Sequence, residues 1–153
     1  MAFPTVNYNR EPTAKGYPGM IATTEPHWIT SMIGEVGTGD IPFGSAVVYG
    51  ATDDTVKKPT AGGKFAGIAV ADRTVLNAQG SVFKQYDQFG CMRNGTIFVT
   101  AIAAVAQGDP VYMTPTGGLT NVSTSNALLA SAEWMDTTTG ANQLARVRLN
   151  VTK

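Results

Sequence analysis

The chain has 153 residues, enough for one domain with a genuine core and too few to call for a second. Charged residues make up 14%, against about 25% in ordinary globular proteins, and 11 basic side chains cancel 11 acidic ones. Nothing therefore steers the chain toward nucleic acid or an acidic membrane, and a surface so poor in charge is usually covered by a partner.

A single cysteine, Cys91, excludes an intramolecular disulfide framework. The N-terminus lacks an apolar run and no stretch approaches the roughly 18 apolar residues of a membrane span, so a soluble protein made inside a cell is expected. Asn94-Gly-Thr96, Asn121-Val-Ser123 and Asn150-Val-Thr152 spell glycosylation acceptors, but without a secretory signal they read as accidents of an Asn- and Thr-rich composition.

Residues 1–31 come first and carry four of the eight prolines (Pro4, Pro12, Pro18, Pro26) with single aromatics at Phe3, Tyr8, Tyr17 and Trp28. No helical or alternating period runs through them, so they read as an extended N-terminal arm that cannot build its own core. Fully extended, the first 20 residues would reach roughly 70 Å. Phe3, Tyr8, Tyr17 and Trp28 are its candidate anchors on a partner, because aromatics serve interfaces as well as cores.

A single β domain is expected over residues 32–153. Gly44-Ser-Ala-Val-Val-Tyr49 reads as a glycine turn entering a strand, and Phe65 to Asp72 as a small-residue strand. Asn94-Gly95, between Gln88–Arg93 and Thr96–Ile102, predicts a two-residue hairpin with Met92 opposite Ile97 and Cys91 opposite Phe98. Thr116-Gly-Gly118 predicts a tight reversal after the strand Val111 to Met113. Asn126 to Met135 could be helical, since Leu128, Leu129, Ala132 and Met135 share a helical face; its counterpart Lys64 to Ala71, with Gly67 and β-branched residues, favours a strand. In Ala145-Arg-Val-Arg-Leu-Asn-Val151 the apolar residues alternate with Arg146, Arg148 and Asn150, the mark of a half-buried strand.

The counterpart arises from an ungapped self-similarity at an offset of 64 residues, 41–87 against 105–151. Eight positions are identical, among them Gly44/Gly108, Val47/Val111, Ala66/Ala130 and Asp72/Asp136, where roughly three or four would arise by chance. Two copies of one β unit in a single small barrel or sandwich are the expected architecture.

Catalytic signatures fail on spacing. Gly37-Thr-Gly39 meets Pro42 where a nucleotide loop needs glycine or alanine, and Gly63-Lys64 lacks the remainder of a phosphate loop. His27 and Cys91 are the one nucleophilic pairing the composition permits, and they cannot supply a zinc site of the usual kind. Asp53-Asp54 lacks the spaced oxygens of a calcium loop and reads as a solvated turn. Tyr49 near Asp53 and Asp54 also offers an aromatic beside acidic loop residues, the pattern of a carbohydrate- or receptor-binding β module. Arg146 and Arg148, two of only five arginines, would project from one strand face about 7 Å apart, as a fork for carboxylates of a partner or as a solvated face.

The order Gly19-Met-Ile-Ala22, Ile41-Pro-Phe-Gly-Ser-Ala-Val-Val48, Phe65-Ala-Gly-Ile-Ala-Val70, Gly95-Thr-Ile-Phe-Val99, Gly108-Asp-Pro-Val-Tyr112 and Ala145-Arg-Val-Arg-Leu149 resembles the bacteriophage capsid cement, or head decoration, proteins. The resemblance spans most of the chain. It implies an all-β barrel-like domain without catalytic activity or cofactor, bound to the outside of a virion's assembled shell after synthesis in the host cytoplasm. It also implies the major capsid protein as partner, with neighbouring subunits bridged, and a homo-oligomer, trimers being common in the family and dimers known.

Overall fold

The computed structural model describes residues 16–72 and 80–150, and every regular element among them is a strand. In chain order these are β1 (Trp28–Gly34), β2 (Ile41–Pro42), β3 (Ala46–Tyr49), β4 (Thr55–Lys57), β5 (Phe65–Ala69), β6 (Val82–Phe83), β7 (Gln88–Ala101), β8 (Pro110–Met113), β9 (Leu119–Thr120), β10 (Ala127–Trp134) and β11 (Gln143–Asn150). The all-β expectation holds, and Asn126 to Met135 forms a strand instead of a helix.

Pairing closes the sheet twice. β1, β4, β3, β5 and β7 form one circuit, closed by the β1–β7 pairing; β7, β11, β10, β8 and β9 form a second, closed by β7–β9. The two barrels share β7. Each circuit contains one parallel pair, β1 with β4 and β7 with β9, while the remaining neighbours run antiparallel. Closure leaves few free edges, which suits a chain with little charge to protect them.

Sharing a strand overturns the expected hairpin. β7 runs unbroken for 14 residues through Asn94-Gly95, so Met92 does not face Ile97, nor Cys91 Phe98. Instead Met92 lies opposite Ile29 and Ile68, and Ile97 opposite Val147. A type I′ turn needs positive φ at both central residues, and here only Gly95 has it, at 122°. Gly95 is required by packing: a Cβ there would lie 2.8 Å from the Cβ of His27. The backbone groups that a hairpin would have paired with each other find partners on different neighbouring strands.

Burial explains why some strands alternate and others do not. Ala145, Val147 and Leu149 of β11 are buried while Arg148 and Asn150 are exposed, because one face meets the core and the other meets water. β3 is buried on both faces. Val47 packs with Val56, Phe89 and Cys91 inside the first barrel, whereas Ala46 and Val48 join Met92, Val111 and Trp134 in the core that fills the second. The lesser sheet of β2 and β6 brings Phe83 to stack on Phe89 at 4.2 Å and lean on Phe43 at 4.8 Å, plugging the first barrel. The expected reversal at Thr116-Gly-Gly118 forms, with Gly117 at φ 92° and the Thr114 amide donating to the Gly118 carbonyl.

The segment assigned to the arm is attached to the domain over its described part. Gly19 and Ala22 donate to the carbonyls of Phe98 and Thr96, Phe98 donates to Met20, and Ile21 packs on the core. Residues 19–22 thus line an edge of β7, and the boundary expected at Ser31 falls inside β1. Phe3 and Tyr8 lie outside the described residues, as do Val151 and positions 73–79 of the repeat.

β8 begins 64 residues after β3, and the turns that enter the two strands share their bonds. Ser45 donates to Pro42 and Asp109 to Ala106; Gly44 and Gly108 donate across to Ala69 and Trp134, whose amides return to Ser45 and Asp109.

Candidate partner-binding site

The crossing point of the barrels is Asn94, which faces Trp28 of β1 on one side and Asn150 of β11 on the other. A groove of about 840 Å³ opens here, lined by Glu25, Pro26, Asn94, Glu133, Arg148 and Asn150 among others. Arg148 Nη2 lies 3.2 Å from both carboxylate oxygens of Glu25, tying the segment before β1 to β11. Both side chains are nearly half exposed, so this pair adds only about 0–1 kcal/mol and orients its groups more than it stabilises the fold. Trp28, 49% exposed, carries the Arg93 guanidinium 6.0 Å from its ring centroid, the outer range of a cation–π contact. Arg93 Nε is buried with no hydrogen-bond partner among the described residues.

Of the six residues singled out from sequence, Arg148 lines the groove, and Trp28 adjoins it only through its backbone register with Asn94. Arg146, two positions along β11, turns its fork to Asp136, with Nη2 2.7 Å from Oδ1 and Nε 3.0 Å from Oδ2, while its own amide donates to the same carboxylate. That hydrogen bonding and charge raise the pKa of Arg146 further above its already high value. Tyr17 is half-buried on the segment that lines β7. Glu25, Arg93 and Asn94 were not singled out. Reading Asn94-Gly95 as a turn hid the last two, since a hairpin tip has no neighbour on either side.

The other candidates stay apart. Cys91 is fully buried in the first barrel, and burial pushes its thiol up to about 12, so it is protonated at neutral pH. His27 is exposed ahead of β1 with Nδ1 3.2 Å from the Glu25 carbonyl, and the nucleophilic pairing is not assembled. Asp53 and Asp54 sit in the β3–β4 turn, where the Asp54 carbonyl accepts the amide of Ile33; Tyr49 is partly exposed beside them.

An open groove with a self-paired ion pair and the side-chain amides of Asn94 and Asn150, with the exposed Trp28 in register with Asn94 on β1, offers contact area and hydrogen bonds to another protein surface. Residues 3–150 match the family described as structural cement protein (E217 gp24/Pam3 gp6). The chain belongs to the phage structural cement proteins. Its role is to stabilise a capsid, as the resemblance read from sequence implied. A solved chain from the capsid of Myoviridae phage XM1 has the same fold, with a TM-score of 0.73 at 22% identity over 98% of each chain. Among curated proteins none matches this cement protein.

Proposed function

We propose that this cement protein binds the outer surface of the assembled shell as a homo-oligomer and bridges neighbouring major capsid protein subunits. Its contact face in this reading is the groove at Asn94, lined by Arg148, together with Trp28 on the neighbouring β1, and the arm before Gly16, carrying Phe3 and Tyr8, as a second element. The observation that carries the reading is the exposed Trp28, with the Arg93 guanidinium against its ring, in register with Asn94 where the two barrels meet. A tryptophan half in solvent on a charge-poor protein is the residue type from which protein contacts draw most of their energy. A ligand that binds the lattice and not the free subunits stabilises it by mass action, multiplied over many copies, so area is needed and turnover is not. The repeated turn bonds at Gly44 and Gly108 support reading the two barrels as copies of one β unit, which would give a cement two similar bodies around one rigid strand.

Deleting Met1–Gly16 tests the arm. The truncated protein is expected to melt close to the parent, since its remaining chain keeps the bonds from Gly19 and Ala22 to β7, and to sediment with capsids at clearly lower stoichiometry. Unchanged capsid occupancy with unchanged melting would remove the arm from the interface, and collapse of the domain would make it structural.

A further inference from the structure

The other end of β1 carries a second exposed apolar cluster. Tyr86 is 68% exposed, Val36 62% and Ile33 37%. The turn Lys84–Asp87 clamps onto the end of β1, with the Tyr86 amide donating to the Gly34 carbonyl, the Gly34 amide to Asp87 and the Gly37 amide to Gln85 Oε1. A Cβ on Gly34 would sit 2.6 Å from the Lys84 carbonyl oxygen, so the approach of these two segments is set by that glycine.

Tyr86 stands in an unusual conformation. The Asp87 amide donates to the Lys84 carbonyl and only the third residue has positive φ, which makes a type II turn with Tyr86 at the position that glycine or asparagine normally occupies. Four non-glycine residues have positive φ among those described: Asp54, Ser125 and Asn142 are short polar types that tolerate it, while Tyr86, at 69°, is bulky. The hydrogen bonds of the clamped turn hold this conformation, while the ring, 68% exposed, adds little packing in return. A bulky residue held in this way with its ring turned outward is the kind of outlier that clusters at functional sites.

We infer that Tyr86, Val36 and Ile33 form a second attachment surface for the capsid shell, taken by an apolar protein surface with a main-chain carbonyl or amide in reach of the Tyr86 hydroxyl and a basic group at the rim beside Asp53 and Asp54. Beside Tyr86 and Val36 the charges are paired within the chain, Lys84 with Asp40 at 3.0 Å and Lys57 with Glu35 at 3.7 Å, and Asp87 accepts the Lys84 amide; the exposed carboxylates of Asp53 and Asp54 flank Ile33 and would take a basic group at that rim of the partner. Trp28 and Gly34 bound the same strand, so this cluster lies about 20 Å from the groove at Asn94, joined to it by a rigid element. Two surfaces at the ends of one strand are what a bridging protein needs, since the second contact forms at high effective concentration once the first is made. This inference rests on the proposed capsid-binding role.

The decisive variant is Tyr86→Gly, measured as the full-length protein on capsids stripped of cement. Glycine relieves the positive φ, so the thermal midpoint is expected to stay level or rise, while the protein concentration needed for half-occupancy rises about tenfold or more. Val36→Ser is expected to weaken occupancy severalfold without loss of folding. Tyr86→Gly decorating capsids as tightly as the parent would overturn the inference, and so would a fall in its thermal midpoint, which would show the ring to be structural. Failure of the parent to bind stripped capsids would instead overturn the capsid-binding reading beneath it.

Discussion

β3 and β8 are entered by turns with the same backbone hydrogen bonds, and the two turns are held by different means. Val47 and Val111 are both fully buried, and Gly44 and Gly108 both have positive φ, 75° and 89°. Around Gly108 nothing lies within 4 Å of an added Cβ, whereas at Gly44 that atom would meet the Gly19 amide nitrogen at 2.8 Å and the Phe98 carbonyl at 3.2 Å. One position keeps its glycine for backbone conformation alone, and the other also because residues 17–22 pass over it to reach β7. A second contrast lies one residue on. Asp109 accepts the Ala106 amide at 2.9 Å; its counterpart Ser45 faces Pro42, which has no N–H to give, and donates its hydroxyl to the proline carbonyl at 2.7 Å. The same turn is closed in both barrels, with the side-chain hydrogen bond reversed to suit the residue opposite.

The sharpest test of this contrast has the largest expected effect. Gly108→Ala should cost about 1 kcal/mol, the conformational penalty alone, while Gly44→Ala adds overpacking against backbone, typically about 1–3 kcal/mol more. Denaturant unfolding of both variants checks this, and equal losses would show that residues 17–22 give way freely. Hydrogen exchange should further show the Gly19 and Ala22 amides loosened only by Gly44→Ala.

A smaller effect is expected on the outer face of the second barrel. Arg146 meets Asp136 through two guanidinium nitrogens, and Arg148 meets Glu25 through one. Arg146→Lys should therefore destabilise by up to about 1 kcal/mol, and Arg148→Lys by less, because lysine cannot reproduce a bidentate contact and both sites are partly screened by solvent. A double-mutant cycle with Asp136→Ala checks the first; a coupling no larger than that of the second pair would make both ordinary surface residues.

The smallest expected effect is a pH dependence confined to one barrel. Asp109 is held below the ordinary carboxylate range first by the Ala106 amide and then by Asn121, whose Nδ2 donates at 2.7 Å. Its folded pKa is depressed, so the stabilisation is present above the unfolded value near 4 and is lost as pH falls through the lower folded value. Asp109→Asn should thus lower the melting temperature slightly at neutral pH, with the gap closing below about pH 4. Ser45→Ala, with no carboxylate at that station, should show a gap that does not vary with pH.

Local chemistry alone settled a good deal. Alternation marked β11, because a strand with one wet face must place Arg146, Arg148 and Asn150 opposite Ala145, Val147 and Leu149. Glycines marked the entries to β3 and β8 and the reversal at Gly117, since left-handed backbone is costly for other residues. The shortage of charge marked a protein that covers a partner, in keeping with its cement family. Tertiary structure decided what depends on neighbours distant in sequence. Asn94-Gly95 has the composition of a turn, yet β1, β5 and β11 supply partners on either side, and β7 continues unbroken where a local pairing would have folded it back. The carboxylates that meet Arg146 and Arg148 come from ten residues upstream and from the segment before β1. Tyr86 carries no sequence signal, because its strained conformation and exposure arise only when its turn is clamped on the end of β1, a contact between segments some 50 residues apart that propensity cannot express.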